Sequence, residues 1–233
     1  MIDILIPTVA QGLLWALLAL GVYITFRVLD IADLSVEGSF PLGAAVAATA
    51  LVNGYGMLIA FFLAAIAGAL AGIVTGFFTT RLKIPALLAG ILTMIGLYSV
   101  NLHVMGKANV ALLRVDTIFS YAESFGMSAT VAMLTVGVVA AVFIGCLMYW
   151  FFGTEIGTAI RATGCNSQMA RAQGINTDFH TVVALMISNG LVGLSGGLYA
   201  QYQGAADVNM GRGAIVIGLA AVIIGEAIFG KIF

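Results

Sequence analysis

The chain has 233 residues, of which 62% are hydrophobic and only 8% are charged, with a formal net charge of −1. Soluble domains are roughly 45–50% apolar and about 25% charged, so a water-soluble fold cannot hide this much apolar surface. The charge balance excludes a basic surface for nucleic acid. The two cysteines lack the paired spacing of a disulfide framework or a zinc site. The composition therefore predicts an all-α, polytopic bundle of transmembrane helices.

About seven apolar segments are candidates for spanning helices, because a span needs roughly 20 apolar residues. In chain order they are one span at residues 4–26, two within residues 38–80, and one each at residues 84–106, 129–152, 179–206 and 213–225. A turn at Asn53-Gly54-Tyr55-Gly56 separates the second span from the third. The last segment has only 13 residues before Glu226, which predicts a short or re-entrant helix.

The positions of lysine and arginine predict the orientation, because cytoplasmic loops carry an excess of these residues. With residues 155–178 in the cytoplasm, the basic residues expected inside are Arg27, Arg81, Lys83, Arg161, Arg171 and Lys231. Those expected outside are Lys107, Arg114 and Arg212. This distribution favours an N-terminus on the outer side.

Glycines repeat at intervals of four residues on two predicted spans, at Gly68, Gly72 and Gly76 and again at Gly193 and Gly197. Such faces let helix backbones approach closely in lipid. Packing between helices of one chain is the favoured interpretation, and contact between two copies is the alternative.

The same region contains Gly193-Leu194-Ser195-Gly196-Gly197, which matches the pattern around a nucleophilic serine. A serine nucleophile needs a base to take its proton, and both histidines, His103 and His180, precede Ser195. His180 is 15 residues away on the same predicted helix, or about four turns, which is too far. The pattern indicates a packing face. Since the chain also lacks a P-loop motif, we expect no enzymatic activity.

Two polar segments interrupt the apolar pattern, and the first covers residues 27–42. If this segment were helical, Asp33 and Glu37 would share one face. A carboxylate next to a long apolar stretch is costly unless it meets water or a partner. Two interpretations stay open: a solvated interfacial loop with a helix beginning near Ser39, or a broken second span whose unwound part lines a polar pathway.

The second polar segment, residues 155–178, predicts a short helix bounded by Gly164 and Gly174, with Arg161 and Arg171 exposed. From the residues alone, a solvated connector between two spans is the simpler interpretation.

Three stretches of the sequence resemble the transmembrane permeases of bacterial ABC importers, of the branched-chain amino acid permease class. They are GLLWALLALG (12–21) with DLSVEGSFPLG (33–43), LLAGILTM (87–94) with YSVNL (98–102), and the loop at residues 157–175. The resemblance covers nearly the whole chain and is greatest to a subgroup with members linked to aromatic amino acids. It implies one membrane domain over residues 1–233, which stops short of a further C-terminal span present in the class.

The resemblance also implies roles for particular residues. The cytoplasmic loop is expected to form a coupling helix that docks on an ATPase subunit, through Gly157, Arg161, Ala162, Gly164, Ala170, Arg171 and Gly174. The polar residues expected along the translocation pathway are Asp33, Glu37, Ser39 and Asn101.

The function implied is that of a permease subunit in the bacterial inner membrane, moving a small organic solute such as an amino acid by alternating access. Its expected partners are an ABC ATPase that holds the ATP, an extracytoplasmic substrate-binding protein, membrane lipid and a second copy of the permease. No cofactor is expected in this chain. The alternative is a secondary transporter or channel that works without ATP, for which charged coupling sites within the spans are required.

Overall fold

A computed structural model describes residues 2–113 and 115–230 of the chain. Its α-helices are α1 (Ile2–Tyr23), α2 (Val36–Val52), α3 (Met57–Thr80), α4 (Ala86–Met105), α5 (Ile118–Ser124), α6 (Ala129–Phe152), α7 (Glu155–Cys165), α8 (Ser167–Ala172), α9 (Thr177–Gln203) and α10 (Ala214–Phe229). A π-helical turn, Ile24–Val28, extends α1. Two short strands, β1 (Asn109–Ala111) and β2 (Ala205–Asp207), pair in antiparallel fashion.

Five helices in the described part of the chain are long and apolar enough to cross a membrane: α1 with its extension, α3, α4, α6 and α9. The helices α2 and α10 are apolar but shorter, with 17 and 16 residues. All seven predicted segments are therefore confirmed as helices. The last is longer than predicted, because α10 continues past Glu226 to Phe229. The carboxylate of Glu226 accepts a hydrogen bond from Arg27 Nε at 2.6 Å.

The centre of the bundle is α9, which packs against α1, α2 and α3. A β-carbon built on Gly68 would lie 2.2 Å from the carbonyl oxygen of Asn189, and one on Gly72 would lie 2.2 Å from that of Leu185. Only glycine allows α3 and α9 to approach this closely. The prediction that the glycine repeat packs helices of one chain is confirmed.

The helix α2 joins this contact from the other side. A β-carbon on Gly43 would lie 1.9 Å from the carbonyl oxygen of Gly193, and one on Gly193 would lie 2.6 Å from that of Ala64. Three backbones, those of α2, α9 and α3, therefore meet with almost no side chain between them.

The serine of the G-x-S-x-G pattern lies within this core. Ser195 is fully buried, and its hydroxyl donates to the carbonyl oxygen of Leu14 at 2.8 Å. Ser188, two turns earlier on α9, donates to the carbonyl oxygen of Gly21 at 2.7 Å. Both hydroxyls fasten α9 to α1, which agrees with the packing role predicted for Ser195.

Basic residues collect at one end of the bundle, beside the helices α7 and α8. Lys83 Nζ and Arg171 Nη2 both contact the carboxylate of Asp178, at 3.4 Å and 2.6 Å. The described basic residues predicted to be cytoplasmic share this end, whereas Lys107 follows the opposite end of α4. Arg114 and Lys231 lie outside the described residues.

At the opposite end, the β1–β2 pair joins the loops that follow α4 and α9, with Val110 opposite Ala206. From β2 the chain passes back along α2 before α10 begins. A β-carbon on Gly211 would lie 2.2 Å from the carbonyl oxygen of Glu37 and 2.6 Å from Cδ of Pro41. Residues 208–213 are thereby held against the first turns of α2.

Candidate functional site

The backbone between α1 and α2 leaves the helical conformation over residues 29–35. It passes Asp30, whose φ of 56° lies in the left-handed region that aspartate tolerates. Asp33 is only 2% exposed, and Val36, where α2 begins, is fully buried. The second span is therefore broken inside the protein, and the interpretation as a solvated interfacial loop is wrong.

Four buried polar side chains, here named the closed cluster, surround this break: Asp33, Ser35, Ser39 and Asn189. Asn189 Nδ2 donates to Asp33 Oδ2 at 2.8 Å, and the Ser39 hydroxyl donates to Asn189 Oδ1 at 2.6 Å. The Ser35 amide donates to Asp33 Oδ1 at 2.9 Å. Each of the four side chains has a partner, as polar groups inside a membrane protein require.

The depth of the closed cluster follows from the packing of α3 on α9. The backbone of Asn189 faces Gly68, which is the twelfth of the 24 residues of α3. The break in the second span therefore reaches about the middle of the bundle. Asp33 precedes α2 and only Glu37 lies on it, so the condition under which the two carboxylates would share a helical face is not met.

A second polar region, here named the groove, is a cavity of about 370 Å³ between α2, α4 and the segment that precedes α10. Its lining residues are Glu37, Gly38, Pro41, Met94, Ile95, Tyr98, Ser99, Asn101, Val208, Asn209 and Arg212. This volume lies within the range of small-molecule sites, which is roughly 300–1,000 Å³. An acid, a base and two amides thus line one cavity with several apolar side chains.

The polar groups of the groove are only partly engaged. Glu37 Oε1 accepts a hydrogen bond from the Gly213 amide at 3.1 Å. Asn101 is 1% exposed and donates through Nδ2 to the carbonyl oxygen of Gly38 at 3.2 Å. Its Oδ1 is the one buried side-chain oxygen or nitrogen within residues 2–113 and 115–230 that has no partner. The groove therefore contains unused hydrogen-bonding capacity.

The cytoplasmic hairpin, α7 and α8, forms from two caps. The Thr154 side chain accepts from the Gly157 amide at the start of α7, and the Asn166 side chain accepts from the Met169 amide at the start of α8. The short helix predicted between Gly164 and Gly174 is confirmed as α8, whereas α7, which runs through Gly164 to Cys165, was not predicted. Asn166, in an extended conformation, is what separates the two helices.

The hairpin touches the broken span directly. A β-carbon on Gly164 would lie 2.0 Å from the carbonyl oxygen of Val28 and 2.9 Å from Cα of Leu29. These two residues mark the end of the π-helical turn and the start of the break. Helix α7 therefore lies directly against the backbone that leads to the closed cluster.

Residues 4–233 match the protein family described as the permease component of branched-chain amino acid transport systems. The chain belongs to this permease family. The permease is thus a component of an ABC-type transport system and a multi-pass protein of the inner membrane, in agreement with its apolar helices.

Named relatives share most of the permease's length. A tyrosine transport system permease protein of Clostridioides difficile is 42% identical over 97% of this chain and 74% of its own. An uncharacterized protein of Rickettsia prowazekii is 36% identical over 97% of this chain and 78% of its own. The autoinducer 2 import system permease protein LsrC of Yersinia pseudotuberculosis is 29% identical over 90% of this chain and 58% of its own. No solved structure matches the permease significantly.

The residues predicted for the pathway of the permease fall into two groups. Asp33 and Ser39 belong to the closed cluster, whereas Glu37 and Asn101 line the groove. The sequence-based prediction missed Asn189 and Arg212, which complete these two regions. An amide within an apolar span is a signal that it has a partner inside the protein, and that signal was available for Asn189.

The residues predicted for ATPase coupling include some that pack within the permease and some that are exposed. Gly157 and Ala170 are buried, and Gly164 lies against α1, so these three position the hairpin within the permease. Arg161 is exposed and donates to the carbonyl oxygen of Phe152 at 3.0 Å, and Arg171 is exposed and contacts Asp178. Met169, which the prediction did not include, is 63% exposed on α8.

Proposed function

We propose that the permease is the membrane subunit of an ATP-driven importer that moves an amino acid inward by alternating access. The family supports a transport role, and the Clostridioides difficile relative named for tyrosine supports an aromatic amino acid as cargo. The observation that carries the coupling part of the proposal is the contact of Gly164 with Val28 and Leu29.

In this proposal the ATP is held by a partner ATPase that docks on the cytoplasmic hairpin. A partner shifts a conformational equilibrium only if it binds the two states with different affinity. The exposed residues Arg161, Met169 and Arg171 lie on the hairpin where such a partner would bind. Movement of the hairpin reaches the break through Gly164, and from there residues 29–35 transmit it to α2 and the groove.

The complete importer in this proposal has two permease copies, two ATPases and a substrate-binding protein on the extracytoplasmic side. The binding protein delivers the amino acid to the end of the bundle that carries β1 and β2, from which residues 208–213 lead into the groove. The pathway then follows Glu37 and Asn101, while Asp33 and Ser39 support it from the closed cluster.

The test is transport by the permease reconstituted in liposomes with its partner ATPase and binding protein. Wild type should accumulate tyrosine only when ATP is present. The variant Gly164→Ala should still co-purify with the ATPase but lose most uptake, because its β-carbon meets the Val28 carbonyl. Gly145→Ala is the matched control, since a β-carbon there meets nothing within 4 Å.

Two outcomes would overturn the proposal. Uptake without ATP, by a permease that purifies alone, would indicate a secondary transporter or channel. Full uptake by Gly164→Ala would show that coupling does not pass through this contact.

A further inference from the structure

We propose that the groove binds the zwitterionic backbone of an amino acid, with its ammonium group held by Glu37 and Asn101 and its carboxylate held by Arg212. This inference rests on the function proposed above and adds a binding mode to it. The two charged residues line one cavity from different elements, Glu37 from α2 and Arg212 from the segment before α10.

The charges of the groove are available to a ligand. Within the described part of the chain, neither Glu37 nor Arg212 takes part in an ion pair. Glu37 uses only Oε1, for the Gly213 amide, and the Arg212 guanidinium is exposed without a hydrogen-bond partner among the described residues. An acid and a base kept apart in one cavity match a ligand that carries both opposite charges.

Asn101 supplies an independent observation. Its Oδ1 is buried and accepts no hydrogen bond from the described residues, although buried polar atoms ordinarily have partners. An ammonium group is a donor that would satisfy this oxygen together with the free oxygen of Glu37. The Asn101 amide itself is oriented by its donation to the Gly38 carbonyl, so the oxygen is held in place before a ligand arrives.

The remaining wall of the groove determines which side chain fits. Pro41, Met94, Ile95 and Tyr98 contribute apolar and aromatic surface beside the charged pair. Such a wall suits an apolar or aromatic side chain, and aromatic rings gain from contact with Tyr98. The groove therefore favours aromatic and large aliphatic amino acids over small polar ones.

The binding mode is tested on the purified complex of permease and ATPase, without the binding protein, by measuring the affinity for tyrosine and for tyramine. Tyramine retains the ammonium group and the ring but lacks the carboxylate. Wild type should bind tyrosine at least about tenfold more tightly than tyramine, which corresponds to one charge-assisted contact. Arg212→Gln should bind both compounds equally, and Arg212→Lys should restore part of the difference.

Because Arg212 is exposed, its replacement does not threaten folding, and the test does not depend on a variant of the half-buried Glu37. Lys107→Gln, also exposed, is the matched control and should keep the wild-type preference. An Arg212→Gln variant that prefers tyrosine as strongly as wild type does would overturn the binding mode.

A complex in which neither wild type nor Arg212→Gln binds tyrosine would also overturn it. ATP-dependent tyrosine uptake by the complete wild-type importer would, in either case, leave the proposed function standing.

Discussion

The closed cluster and the groove are both polar regions inside an apolar bundle, and they use the same residue types in opposite ways. In the closed cluster, Asn189 fills both ends of its amide with partners from the break and from α2. In the groove, Asn101 donates one hydrogen bond and leaves its oxygen unused. A buried amide that is satisfied stabilises one conformation, whereas an unsatisfied one is a cost that a ligand can remove.

The comparison separates residues that hold the broken span from residues that are free to bind. Asp33 and Glu37 are four positions apart and both acidic, yet Asp33 is engaged by Ser35 and Asn189 while Glu37 keeps one oxygen free. Variants of the closed cluster should therefore reduce stability more than transport, and variants of the groove should reduce transport more than stability.

The largest loss of stability is expected for Asn189→Leu. The change removes the donor to Asp33 Oδ2 and the acceptor of the Ser39 hydroxyl, and each of these buried atoms then lacks a partner, at a cost of about 1–3 kcal/mol per group. Asp33 Oδ1 keeps its hydrogen bond from the Ser35 amide. The measurement is the unfolding temperature of the detergent-purified permease, read by size exclusion after heating. Thr135→Val is the control, because this exposed hydroxyl bonds only to its own helix. A stable Asn189→Leu variant would mean that the cluster does not hold the break.

A smaller loss is expected for Ser39→Ala, about 0.5–1.5 kcal/mol, the usual contribution of one hydrogen bond. The effect is limited because Asn189 still donates through Nδ2 to Asp33, and only its Oδ1 loses the hydroxyl of Ser39. The same heating assay measures it beside Asn189→Leu. If the two variants lost equal stability, the hydrogen bond from Ser39 would account for the whole effect of Asn189.

The smallest change in stability is expected for Asn101→Leu. The variant loses the hydrogen bond to the Gly38 carbonyl but also removes a buried oxygen without a partner, and these two effects offset each other. Tyrosine uptake in liposomes should nevertheless fall sharply relative to Thr135→Val. Unfolding at a much lower temperature would place Asn101 with the stabilising residues and remove the distinction between the two regions.

Much of the helical architecture is predictable from the sequence, because lipid imposes strict lengths on charge-free segments. The helix predicted at residues 129–152 is found with those bounds as α6, which is flanked by polar residues at both ends. The seventh helix was harder to delimit. A charged residue, Glu226, predicts the end of the apolar segment. In the structure Arg27, far away in the sequence, forms an ion pair with this carboxylate, and the helix continues.

The candidate site was less predictable, since its partners are distant in sequence. Asp33 and Asn189 are 156 positions apart, and residue type alone does not specify which acidic residue hydrogen-bonds to which amide. Arg212 was assigned to an outer loop by counting charges. The structure shows in addition that Arg212 lines the groove, because residues 208–213 pass back along α2 as far as Glu37. Counting basic residues in loops does not detect a segment that passes back into the bundle.

The close backbone contact among Gly43, Gly193 and Gly68 has a consequence for how the groove opens. Helices locked together without intervening side chains cannot adjust through rotamer changes, so α2, α3 and α9 behave as a fixed frame. Glu37 stands on this frame, and Gly211 and Gly213, on either side of Arg212, are both held against Glu37. During transport the two charged anchors should therefore move together with the frame, and the groove should open where α4, its remaining wall, separates from them. The amino acid would then be released on the side lined by α4.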